Sequence, residues 1–172
     1  MPAEAAEPGP LAGSWAQHSS GQELVFKPKI KIMPSISATG FAIGTTGSGG
    51  SQTTTTIHNE FSPALVERTM TLDIEMDGSF RWVIDKDRAT SEKKPDCRTI
   101  TREEKLGTVQ VSGNQVQFVI NGGASAFKES CDAEKARTGP GRLGQETYSF
   151  AIDGDRLVVT GSGGVRWVFE RR

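Results

Sequence analysis

At 172 residues and 35% hydrophobic content, the chain is long enough for one domain with a sizeable core and short for two. Its 20 Lys and Arg against 21 Asp and Glu leave a formal charge of -1, which supplies no electrostatic reason to bind nucleic acid or an anionic membrane. No apolar run approaches the roughly 20 residues a membrane-crossing helix needs, and 20 glycines with abundant Thr, Ser and Val favour strands and turns.

The first ten residues, Met1 to Pro10, lack the basic and apolar regions of a signal peptide. They read as a disordered tail of the kind left once such a peptide is removed, with an ordinary cytosolic N-terminus as the alternative. Residues 11–172 read as a single domain. Leu11 to Gln17 is predicted to be a strand, and it carries the triplet Gly13-Ser14-Trp15. Glu23 to Met33 is a second, in which Ile30 and Ile32 alternate with Lys29 and Lys31. Pro28 and Pro34 restrict that segment to an edge or a bulge, because proline cannot donate to a ladder. Ser35 to Ile43 suits a further strand. Gly44 to Gln52, nearly all Gly, Ser and Thr, has the composition of a mobile loop.

Turn chemistry carries the fold. Between Met70-Glu75 and Ser79-Ile84, a three-residue loop Met76-Asp77-Gly78 sets Ile74 opposite Phe80 and Leu72 opposite Trp82. A two-residue Asp77-Gly78 loop would instead set apolar residues beside Arg81 and Ser79, so the alternation selects the longer loop. A Gly113-Asn114 loop pairs Val111 with Val116 and Val109 with Phe118. With Gly154-Asp155 as the loop, Ile152 meets Leu157 and Phe150 meets Val159. Past Ser162-Gly163-Gly164, Val159 meets Trp167 and Leu157 meets Phe169. Each register puts its apolar set on one face, as an antiparallel meander requires.

Extending the Gly113-Asn114 register outward brings Cys97 and Cys131, the only cysteines, within a single position of each other. A disulfide there would stabilise by roughly 3–4 kcal/mol and points to an oxidising compartment, secreted or periplasmic; two free thiols in a cytosolic protein are the alternative. Asp132 to Arg137 suits a short helical turn stopped by Gly139-Pro140-Gly141.

No catalytic motif emerges. His18 and His58 have no partner at motif spacing and are expected to face solvent, and two Cys with two distant His make no recognised metal site. Asp73, Glu75 and Arg81 alternate with apolar neighbours and belong on the outer face. The glycine-rich stretches lack the ending of a phosphate loop, and no cofactor is implied.

Gly13-Ser14-Trp15 in the first strand, the up-and-down meander and the arginine-flanked last strand Val165-Arg166-Trp167-Val168-Phe169 resemble the lipocalin and calycin group, especially small secreted bacterial lipocalin-like domains. The resemblance spans about Leu11 to Arg171 and implies an all-β, antiparallel up-and-down barrel of about eight to ten strands. It also implies that Trp15 plugs the closed end, with an arginine packed across it. Arg171 suits that role better than Arg166, which alternates with the core set.

The resemblance further implies a small, largely apolar ligand inside the open end. Leu72, Trp82, Phe118, Phe150 and Trp167, with Phe80, share the inward face, where they would line a pocket or fill a core. Two other classes stand beside this reading. One is a secreted protein-binding module or inhibitor that engages its partner through the N-terminal tail or the Gly44 to Gln52 loop. The other is a barrel-cavity cyclase, isomerase or hydratase.

Overall fold

A computed structural model describes the backbone of residues 7–35 and 52–172 and the side chains of residues 7–23 and 63–172. The expected strand at Ser35 to Ile43 and loop at Gly44 to Gln52 lie almost wholly outside these residues. After a short 3-10 helix at Gly9–Leu11 come β1 (Gly13–Ser35), β2 (Gln52–Ile74), β3 (Ser79–Ser91), β4 (Lys94–Ser112), β5 (Gln115–Glu129), β6 (Asp132–Pro140), β7 (Gly144–Asp153), β8 (Arg156–Thr160) and β9 (Arg166–Arg171). The segments expected as two strands, at 11–17 and 23–33, run as one strand from Gly13. Leu11 belongs to the helix, and Pro8 is already buried. The chain divides into two compact units, one of residues up to Gln22 with Leu65–Arg172, the other Glu23–Ala64.

The strands follow the order β4-β3-β2-β1-β9-β8-β7-β5, and β4 also pairs with β5, which closes an antiparallel barrel of eight strands with β6 as one extra. The architecture is consistent with a calycin-like barrel. All four sequence-derived registers are present: Ile74 with Phe80, Val109 with Phe118, Ile152 with Leu157, and Val159 with Trp167. At the first turn Gly78 takes φ +86°, which an L side chain rarely adopts. Asp77 accepts hydrogen bonds from the Ser79 N–H and hydroxyl there, and these hold its carboxyl below the usual range.

The turns at 75–78, 113–114 and 154–155 all fall at one end of the barrel, since β3, β5 and β8 start where β2, β4 and β7 stop. Each is bonded to the next strand pair: Gly78 O accepts from Val109 N, Asn114 O from Phe150 N, and Asp155 O from Arg171 N. The opposite end is uneven. β3 and β4 continue to their turn at Glu92-Lys93, whereas β8 is five residues long.

β5 explains the extra strand. Residues 115–120 pair with β7 and residues 124–129 with β6, so β6 and β7 run in one direction along successive halves of the same edge. A bulge separates the halves, because Gly107 pairs with Ile120 but Leu106 with Gly122, leaving Asn121 over. Here the strands approach so closely that a Cβ on Gly107 would lie 1.8 Å from Val119 O.

The bulge also shifts the register by the one position that separated Cys97 from Cys131, and the two are bonded. The bond ties the β5–β6 turn to β4. The helical turn expected at Asp132 to Arg137 is not formed: these residues are in β6. Six residues are too few to sustain an isolated helix, while the free edge of β5 takes them up at both ends, Asp132 pairing with Glu129 and Arg137 with Phe127. Reduction, or the double change Cys97→Ser with Cys131→Ser, should lower stability by roughly 3–4 kcal/mol in chemical denaturation, the chain-entropy value for such a loop. Alkylation without reductant should modify neither thiol.

Candidate functional site

One end of the barrel is sealed. Trp15 is fully buried, its indole N–H donates to Leu11 O at 2.9 Å, and the Arg171 guanidinium lies 4.2 Å from its ring centre. Trp15 and Arg171 face each other in register, and Arg171 also donates to Ala12 O. Arg166 pairs instead with Thr160 and is exposed. Because the plug is a large ring with no exposed surface, Trp15→Ala should cost about 3–5 kcal/mol in thermal or chemical unfolding. An unchanged midpoint would contradict the plug.

Above the plug the barrel is packed. Leu72, Trp82 and Phe118 are fully buried. The rings of Trp82 and Phe118 lie 5.2 Å apart, and those of Phe80 and Phe118 4.9 Å apart in an edge arrangement. Phe150 and Trp167 are half-buried against this cluster, and Arg68 stacks 4.4 Å over Trp167. The structure thus joins Leu72, Trp82 and Phe118 in one core and leaves Phe150 and Trp167 at its margin.

Polarity begins one step further up. Lys105 on β4 is buried, bonds both carboxylate oxygens of Glu146 on β7 at 2.8 and 2.9 Å, and lies 5.0 Å over the Trp82 ring. Tyr148 donates to Glu146 at 2.8 Å. Burial pushes the Tyr148 phenol well above its ordinary 10.0, helped by the hydrogen bond to Glu146 and the Glu103 charge.

Beyond this layer, β3 to β6 form a wall around a cavity of about 780 Å³. Ile84, Thr101, Glu103, Ser125, Phe127 and Arg137 line it from the face that carries Trp82 and Lys105 lower down. A second cavity of about 600 Å³ shares Phe127 and Arg137 with the first and adds Asp85, Ile100 and Lys128, whose positions alternate with that set. There Arg102 holds Asp85 through two bonds at 2.7 and 2.9 Å.

The other candidates fall where alternation put them. His18 and Glu75 are exposed, Asp73 is half-buried, and Arg81 is exposed and bonded to Glu104 at 2.7 Å; the His58 side chain lies outside the described residues. Among the described residues no group of His, Cys, Asp and Glu could hold a metal ion, and no helix is long and apolar enough to cross a membrane. The sequence reading missed the Lys105-Glu146-Tyr148 layer. A signal for Lys105 existed, since it continues the alternation Val111, Val109, Gly107 along one face, but its partner on β7 needs the closed barrel. Compared with protein-family models, curated proteins and solved structures, the chain finds no match.

Tyr148 is the only tyrosine, so ultraviolet titration reads it alone. The unfolded chain ionises this phenol near pH 10 while the folded chain keeps its proton. The unfolded state then binds fewer protons, so this contribution is complete below pH 10 and is lost as pH rises toward the folded value. The native phenol should titrate above its ordinary range, and Tyr148→Phe should flatten the alkaline fall in stability. A native midpoint at the ordinary value would contradict the buried bond to Glu146.

Proposed function

We propose that the protein is a lipocalin-like binding protein that holds a small, largely apolar molecule at the open end of its barrel, above the packed core, in a secreted or periplasmic setting. The observation that carries this reading is the cavity of about 780 Å³ on the inner face of the β3–β6 wall, opposite the sealed end. Its volume suits a small-molecule site, and Ile84 and Phe127 supply apolar surface with polar groups beside it. Buried apolar ligand surface contributes about 25 cal/mol per Å² before ordering costs are subtracted. The disulfide is compatible with an extracellular or periplasmic location.

The neutral fluorophore N-phenyl-1-naphthylamine tests the reading. It should bind saturably at about one per chain, and Phe127→Ala should weaken it several-fold while the half-buried position leaves the unfolding midpoint nearly unchanged. Absence of saturable binding would overturn the reading and favour a protein partner.

A further inference from the structure

We infer that the open-end cavity selects organic anions, an acidic group being held near Arg137 and Arg142 while the apolar body lies on Ile84 and Phe127. This rests on the small-molecule reading above and adds the charge of the ligand. The lining is strongly biased: Lys86, Arg102, Arg137 and Arg142 are cationic, and Glu103 alone is acidic. That bias is local, because the whole chain carries a formal charge of -1.

Two of the cations have charge to spare. Arg102 is held by the Asp85 carboxylate, whereas Arg137 and Arg142 form no ion pair among the described residues. Both are exposed, so neither carries the burial cost of a desolvated charge and each is open to an incoming anion. Arg137 owes its place to the cross-strand pairing of β6 with Phe127, which sets a guanidinium beside the ring that supplies the apolar surface. Arg142 follows in the connection to β7. A planar guanidinium suits carboxylate, sulfonate or phosphate by paired N–H donation. Glu103, on the same face and nearer the Lys105 layer, would repel an acidic group placed deeper. The geometry therefore orients the guest with its apolar part inward and its charge at the rim.

A matched pair of probes tests charge separately from shape. 1-Anilinonaphthalene-8-sulfonate and N-phenyl-1-naphthylamine share one aromatic body and differ by a sulfonate. With the full, oxidised chain at low salt, the sulfonate should bind about tenfold more tightly, and added salt should shrink that advantage because the site is exposed. The double change Arg137→Gln with Arg142→Gln should bring the two probes to parity. Arg142→Glu alone should weaken the sulfonate selectively, and it serves as a check should the double variant fold poorly. Equal affinities in the wild type, or a sulfonate advantage that survives both variants, would overturn the anion inference and leave the small-molecule reading standing. If neither probe saturates, both fall.

Discussion

The ion pair between the buried Lys105 and the half-buried Glu146 is the constraint on which the rest of the barrel turns. It joins β4 to β7 across the interior, with β5 between them in the sheet, at the level where an apolar core gives way to a polar cavity. A lysine taken out of water is costly unless paired and hydrogen-bonded. Here two carboxylate oxygens and the Trp82 ring compensate it, and Tyr148 fixes the carboxylate in turn. Such a pair adds little net stability compared with an apolar substitute. Its effect is positional, because a charged layer over Trp82 stops the core from growing upward.

The two ends of the barrel follow from opposite solutions to the same problem of edges and exposed surface. At one end short turns converge, and a tryptophan under an arginine fills the space they enclose. At the other the strands end at different heights. The tall wall of β3 to β6 keeps its shape because the bulge at Asn121 re-aims β5 and the Cys97–Cys131 bond anchors the β5–β6 turn. β6 is what makes the wall broad enough to hold a cavity, and it is the strand that an eight-stranded meander would not contain.

Much of the barrel was legible in the sequence, because tight turns and alternation are local signals. Gly78, Gly113 and Gly154 all take positive φ, and each register counted outward from its turn is the one observed, in β4 and β5 as far as the bulge at Asn121. The pairing of Trp15 with Arg171 was legible only through a motif, since the residues lie at opposite ends of the chain. What stayed hidden depends on contacts distant in sequence. Asp132 to Arg137 looks helical by composition, and only the free upper edge of β5 makes it a strand. Lys105 continues the inward alternation of its strand, but its partner Glu146 reaches it only once β7 takes its place in the closed barrel. The inward aromatics of Leu72's face were legible as a group, but whether they enclose space depends on ring packing that alternation does not encode.

The three tryptophans mark levels of the barrel, with Trp15 in the sealed end, Trp82 under the Lys105 layer and Trp167 at the core margin. Nuclear magnetic resonance of nitrogen-15-labelled indoles, recorded with and without bound N-phenyl-1-naphthylamine, therefore locates the guest along the axis. A ligand held above a packed core should move the Trp82 signal and leave Trp15 in place. A Trp15 signal that moves as far as that of Trp82, or a Trp82 signal unmoved at saturation, would contradict a site at the open end.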